Sequence, residues 1–180
     1  DQHNVGSPFP DFTFGIRLGG EWNNFDFNLF FDGMVGNKIY NYPRYRLESG
    51  NFNGNMSTVL ANSWRPDNQN TDIPRFSKTD GADNKWAYTD RWLEDGSYIR
   101  LKTLDIGYTL PKVLTKKIKL ENVRIYTSME NLFTLTKYSG YTADLGESSV
   151  AGGAYNVFSR GIDQGRYPLP RTISFGIQVN

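Results

Sequence analysis

The chain contains no cysteine, which removes disulfide frameworks and thiolate chemistry from consideration. It has a single histidine, His3, so no histidine pair is available for a metal site or an acid–base couple. Nowhere in its 180 residues is there a run of about 18 apolar positions, as a transmembrane helix needs, and the mean hydropathy is −0.57. Neither sign of charge dominates: 20 Lys and Arg face 19 Asp and Glu, leaving +1. A dedicated nucleic-acid binder would show a basic surplus or stripe. Residues 1–8 have neither a basic n-region nor an apolar h-region, so no signal peptide is expected in them.

What the chain has in quantity is aromatic side chains and glycine: 12 Phe, 11 Tyr, 4 Trp and 18 Gly. That composition favours β structure. Strict apolar–polar alternation predicts five strands, over residues 11–19, 24–32, 97–110, 122–133 and 171–180. In the first, Phe12, Phe14, Ile16 and Leu18 oppose Thr13, Gly15 and Arg17. In the second, Phe25, Phe27, Leu29 and Phe31 oppose Asp26, Asn28 and Asp32. A tight turn at Glu21-Trp22 would pair Leu18 with Phe25 and Arg17 with Asp26. Pro111 ends the third strand, and residues 112–120 have room for one helical turn.

The connections alternate between short and long. A tight turn precedes a long connection over 33–96, and residues 111–121 precede a second over 134–170. Loops beyond ~12–15 residues are uncommon inside a compact soluble domain, whereas outer-membrane barrels alternate short periplasmic turns with long outer loops. The strand lengths also suit the ~9–11 tilted residues that cross a bilayer.

Two readings fit the alternation. In one, the apolar face packs on a soluble core, as in a secreted carbohydrate-binding β-sandwich. In the other it meets lipid, and the polar face lines a wet lumen. The charges Arg17, Asp26, Asp105, Arg124 and Glu130 on the polar faces suit a crowded interior and favour the second. Arg100 and Lys102 share parity with Leu104 and Ile106, which predicts a basic girdle above an apolar band. Five strands cannot close a membrane barrel, so on that reading the chain is part of a larger one.

Several ordered blocks carry a family resemblance. Arg91-Trp92-Leu93-Glu94-Asp95-Gly96-Ser97-Tyr98-Ile99-Arg100-Leu101-Lys102 runs on to Leu104-Asp105-Ile106-Gly107-Tyr108-Thr109-Leu110-Pro111. Arg124-Ile125-Tyr126-Thr127-Ser128-Met129-Glu130-Asn131-Leu132-Phe133-Thr134 follows, then Gly161-Ile162-Asp163-Gln164-Gly165-Arg166-Tyr167-Pro168. With Gly36-Asn37-Lys38-Ile39-Tyr40-Asn41 upstream, the set resembles the C-terminal part of SusC/RagA transporters, the TonB-linked outer-membrane proteins of Bacteroidetes. Thr142-Ala143-Asp144 departs from the family's Asp-Pro-Glu-like stretch, and no terminal aromatic follows Asn180, so one or more further residues are expected there.

The resemblance implies an all-β fold: the last five antiparallel strands of a barrel of about 22, with long extracellular loops. It implies residence in the bacterial outer membrane, in contact with lipid. It further implies uptake of glycans or peptides with a SusD-like surface lipoprotein. The plug, the rest of the barrel and the segment that engages the TonB complex would lie upstream. No nucleic acid, cofactor or catalysis is implied.

Other chemistry finds little support. His3 reads as a solvated terminal residue, and Glu94 with Asp95 as solvated loop acids, with nothing to suggest the paired geometry of a glycosidase. Asp67-Asn68-Gln69-Asn70-Thr71-Asp72 lacks the glycine and closing glutamate of an EF-hand, although loop oxygens leave a calcium site open. Gly152-Gly153 is followed by no phosphate-loop Lys. The loop aromatics Trp64, Trp86, Tyr88, Trp92, Tyr138, Tyr141 and Tyr155 stand beside polar residues. They are either ligand contacts, stacking on a cargo such as a sugar face, or anchors that pack the loops.

Overall fold

A computed structural model of the chain describes residues 3–50, 54–76, 89–145 and 160–180. In chain order the elements are β1 (Phe12–Trp22), β2 (Phe25–Val35), β3 (Lys38–Asn41), α1 (Tyr42–Glu48), β4 (Leu93–Asp95) and β5 (Tyr98–Thr109), followed by α2 (Lys112–Thr115), β6 (Val123–Thr136), β7 (Ile162–Asp163) and β8 (Thr172–Val179). They fall into two compact units. A wall unit comprises Pro10–Gly36, Ser97–Lys137 and Pro168–Asn180; a loop unit comprises Asp1–Phe9, Asn37–Gly96 and Tyr138–Tyr167.

The wall unit is one antiparallel sheet in the order β1-β2-β5-β6-β8. It does not close on itself. Among the described residues β1 and β8 each pair with a single strand, so both edges stay open. The β1–β2 turn is Asn23-Asn24, with φ of 47° and 69°. A two-residue hairpin loop of this type needs positive φ at both positions, which Asn tolerates far better than Glu or Trp. The expected turn at Glu21-Trp22 is therefore displaced by two residues. Leu18 pairs with Leu29, Ile16 with Phe31 and Trp22 with Phe25. An even displacement keeps every side chain on its expected face, but it puts Arg17 opposite Phe30 instead of Asp26. The Arg17 guanidinium lies 5.6 Å from the Phe30 ring centre.

A second correction concerns Arg100. The ladder shifts register between Leu101 and Thr103, and Lys102 falls in the shift. The parity of β5 reverses there. Arg100 faces Asp32 across the β2–β5 ladder and forms a two-pronged ion pair with it at 2.9 and 2.5 Å. The Arg100 side chain is buried, so the expected basic girdle of Arg100 and Lys102 does not form. β6 accommodates the same level through Asn131, whose φ is 52° and whose amide donates to the Pro170 carbonyl at 3.2 Å.

The loop unit has a sheet of its own. β3 pairs antiparallel with β4 and parallel with β7, so the stretches 33–96 and 134–170 contain regular structure that alternation did not reveal. These strands are two to four residues long, too short for a period-2 pattern to register. α1 starts where the Asn41 side chain accepts the Arg44 backbone N–H at 3.0 Å, with Pro in its first turn, an ordinary N-terminal arrangement. Ile39 and Trp92 are fully enclosed at the centre of this unit, and the Tyr45 ring meets Trp92 edge-on at 5.6 Å.

Candidate functional site: one sheet with two opposed faces

The apolar side of the wall sheet is open. Ile16, Leu18 and Trp22 on β1, Phe25 and Phe27 on β2, Ile106 on β5 and Ile125 on β6 are all exposed. On β8 exposure reaches 83% for Phe175 and 68% for Ile177. A contiguous apolar surface of this extent marks an interface with something other than water. A β-sandwich would cover such a face with a second sheet, whereas these side chains are exposed.

The other face is polar and internally bonded, row by row. In one row Asp26, Gly107, Tyr126 and Gly176 lie side by side across four strands. Arg124, two residues along β6, reaches across this row to Asp26 with bonds of 2.9 and 2.5 Å. It can do so because Gly107 has no side chain. A Cβ there would stand 2.4 Å from both the guanidinium and the Asp26 carboxylate. The Arg124 guanidinium also sits 4.9 Å from the centre of the Tyr126 ring. That ring covers Gly176, where a Cβ would lie within 2.4 Å of it.

In the adjacent row Asp105 accepts hydrogen bonds from Asn28 at 3.1 Å and from Ser128 at 2.6 Å. The next aligns Arg17, Phe30, Thr103 and Glu130. The Asp32–Arg100 pair follows. Arg17, Asp26, Asp105, Arg124 and Glu130 thus share one face. The alternation of the sequence puts them on that face, but it does not show that Asn28, Gly107, Tyr126 and Ser128 complete their surroundings. The signal that could have found Gly107 is its place between Asp105 and Thr109 on an otherwise side-chain-bearing polar face.

At the turn end of this face, Asn23, Asn24, Asp26, Thr109 and Arg124 line a cavity of about 580 Å³. The Thr109 N–H donates to the Asn24 carbonyl at 2.9 Å there, tying the end of β5 to the β1–β2 turn.

In the loop unit the expected ligand aromatics divide. Trp92 is 1% exposed and Tyr138 is buried, so both rings are packed inside the loop unit in this structure. Trp64 and Tyr141 are exposed, while Trp86, Tyr88 and Tyr155 lie outside the described residues. The Tyr138 hydroxyl donates to Asp163 at 2.5 Å, and the other Asp163 oxygen accepts the backbone N–H groups of Gly165 and Arg166 at 2.8 and 3.0 Å. Burial, then the neighbouring carboxylate, pushes the Tyr138 hydroxyl well above the ordinary tyrosine range.

Glu94 is a further correction. Instead of a solvated loop acid, it is a nearly buried hub. It accepts from the Ser139 N–H and hydroxyl, both at 2.8 Å, and from Asn41 and Arg44, both at 3.1 Å. Burial alone would raise its pKa, but these four donors outweigh burial and hold the carboxyl below its ordinary value. Arg44 also pairs with Glu48 at 3.1 Å; the two carboxylates overcome burial and raise its pKa. Around residues 67–72 the side chains bond locally, Asn68 to Asn62 at 2.9 Å and Asp67 to Arg65 at 3.5 Å. Among the described residues no group of three or more His, Asp or Glu side chains is placed to hold a metal ion.

No family model matches the chain. Whole-sequence comparison does find relatives. TonB-dependent receptor P3 of Formosa agariphila is 39% identical over 179 residues, which is 99% of this chain and 17% of that protein. TonB-dependent receptor SusC of Bacteroides thetaiotaomicron is 22% identical over 181 residues, 99% of this chain and 16% of that one. Among solved structures, the RagAB peptide transporter superimposes with a TM-score of 0.76 and 29% identity, over 98% of this chain and 18% of the other. The chain therefore spans 17% or less of the length of these curated relatives.

Proposed function

We propose that this chain, a segment of a SusC/RagA-like TonB-dependent transporter, supplies five strands of membrane-spanning barrel wall together with outer loops to an importer in the bacterial outer membrane. The observation that carries the proposal is the exposed Phe, Leu and Ile face of the wall sheet, set back to back with a hydrogen-bonded, charge-bearing face. In lipid the first meets acyl chains and the second a wet lumen. Open edges are not tolerated in hydrocarbon, so β1 and β8 pair with further strands, in a barrel of about 22 closed around a plug.

On this reading Arg17, Asp26, Asp105, Arg124 and Glu130 line the lumen and set its local charge. The Asp26–Arg124 pair and the hydrogen bonds that Asp105 accepts from Asn28 and Ser128 hold part of that charge pattern in place. The long connections, which carry the loop unit, lie outside the cell, where they meet a SusD-like lipoprotein. There the exposed rings of Trp64 and Tyr141 face a glycan or peptide cargo. The segment performs no catalysis; energy reaches the importer through the TonB complex, engaged by an upstream part of the protein.

The test is site-directed spin labelling of the complete transporter in bilayers. Labels at Phe175→Cys and Ile177→Cys should be relaxed by oxygen, which partitions into lipid, and not by a water-soluble nickel chelate. Labels at Ser174→Cys and Ser128→Cys should show the reverse. Nickel access to Phe175→Cys and Ile177→Cys sinks the wall reading.

A further inference from the structure

Residues 111–122, in the connection between β5 and β6, differ from the rest of the wall unit in their chemistry. Lys112, Lys116, Lys117 and Lys119 are all exposed, and Glu121 is the one acid in the stretch. None of the four lysines is ion-paired with a described residue. Between the first two, Val113 is 74% exposed and Leu114 is exposed as well. Four cations and two bare aliphatic side chains in one tight turn form a surface with no partner inside the unit.

The turn is held in place from within. Thr115 is buried, its N–H donates to the Pro111 carbonyl at 3.3 Å, and its own carbonyl accepts the Leu120 N–H at 3.1 Å. Lys119 takes the left-handed conformation, φ 57°, which turns the chain back into β6. Glu121 and Asn122 both donate to the Asn180 carbonyl, at 3.0 and 3.1 Å, while the Asn180 N–H returns a bond to Asn122. The lysines are thus presented on a fixed platform.

Its position is set by the sheet. On the apolar face, the last row that β1, β2 and β5 share at this end contains Trp22, Phe25 and Tyr108 and runs on into Ile125 and Ile177, with Val123 and Val179 paired one row beyond. Trp22 is 75% exposed, and the Phe25 and Tyr108 rings are 4.6 Å apart. Aromatic girdles of this kind lie at headgroup level, and the apolar band between two girdles is what the hydrocarbon covers. Pro111 follows Tyr108 by three residues, so the lysine turn begins where the girdle ends.

We propose that residues 111–122 form a foot that docks on anionic phospholipid headgroups of the leaflet on the short-turn side. Val113 and Leu114 enter the edge of the hydrocarbon, and Lys112, Lys116, Lys117 and Lys119 bind the phosphates. Charge complementarity and continuity with the lipid-facing belt select this occupant: a cationic rim directly beneath an aromatic girdle matches a phosphate plane. The inference rests on the wall reading above.

The experiment compares the complete transporter with a Lys112→Gln, Lys116→Gln, Lys117→Gln variant and with a matched Lys→Arg variant. Each is first floated with phosphatidylcholine vesicles, then equilibrated with equal phosphatidylglycerol and phosphatidylcholine and examined by native mass spectrometry for retained lipid. The unmodified and Arg proteins should retain phosphatidylglycerol preferentially. The Gln variant should lose that preference, by up to roughly fivefold per lysine. Equal phosphatidylglycerol retention in the Gln variant overturns the foot while flotation still upholds the wall. Failure of all three to float removes the wall reading and the foot with it. Lysines that prove necessary for uptake but not for lipid retention identify a protein partner instead, and the proposal falls.

Discussion

Arg124 meets Asp26 over the bare backbone of Gly107, joining strands that are not neighbours in the sheet. The pair is about a quarter exposed on each side, so its Coulomb energy is modest. Its structural effect is larger, because it fixes the spacing of β2, β5 and β6 at the turn end. Gly107→Ala places a methyl inside the path of the guanidinium. In the complete transporter it should destabilise the folded barrel by about 1–3 kcal/mol, the usual range for overpacking. The cost should shrink in an Arg124→Ser background, where the methyl finds space. Heat-modifiability on gels measures both. An equal loss in the two backgrounds would show that the crossing is not what Gly107 is for.

Arginine scanning of the apolar face should show depth. Leu18 and Trp22 lie on the same face of β1, and both are exposed. If lipid covers this face, Leu18→Arg costs about 2–4 kcal/mol and Trp22→Arg, near the headgroups, about 0–1 kcal/mol. In water both would be exposed-site changes within about 0.5 kcal/mol. Refolding midpoints of the complete protein into lipid vesicles distinguish the two. A flat response excludes hydrocarbon contact.

The sequence made the faces legible and hid the registers. Alternation of Phe, Leu and Ile with Thr, Ser and Asp assigns each wall residue to a side, because a strand has no other way to segregate them. Register depends on where φ turns positive. The Asn23-Asn24 turn won over Glu21-Trp22 for that backbone reason, not for any reason of side-chain polarity. Arg100 departs from the alternation because one extra residue, Lys102, reverses the parity of β5 there. Glu94 was opaque for a different reason. Its donors come from Asn41, Arg44 and Ser139, up to 53 residues away, and no local pattern announces a hub assembled from three segments.

The Glu94 hub gives the loop unit an acid limit. Its carboxyl is held below the ordinary value in the folded protein, so the unfolded state takes up a proton first as the pH drops. The stabilisation is complete above the unfolded glutamate pKa, declines below it, and is gone once the pH passes the depressed folded value. Protection of the β3 and β4 amides in the complete transporter, corrected for the pH dependence of intrinsic exchange, should therefore fall on acidification within that window. Glu94→Gln should be less stable at neutral pH and insensitive across the same window. Acid loosening that persists unchanged in Glu94→Gln assigns the effect to another group.

Tyr138 and Asp163 provide a separate clasp between the chain leaving β6 and β7. Asp163 is almost completely enclosed, and its carboxylate is satisfied by the Tyr138 hydroxyl and two backbone N–H groups. Tyr138→Phe keeps the ring volume and removes one donor from a buried acceptor. That change costs about 1–3 kcal/mol. Asp163→Ala removes the acceptor as well and abandons both backbone N–H groups, so it should cost more. The two losses should not add in the double variant, since each removes the same bond. Limited proteolysis of the complete transporter between residues 138 and 166 reports the effect directly, with Tyr138→Phe cleaved faster than the parent and Asp163→Ala faster still. Because burial and Asp163 both suppress ionisation of the hydroxyl, Tyr138 should also stay protonated through the range in which exposed tyrosines titrate. A Tyr138→Phe variant that is cleaved no faster, and that removes a tyrosine titrating in the ordinary range, would place this side chain outside the clasp.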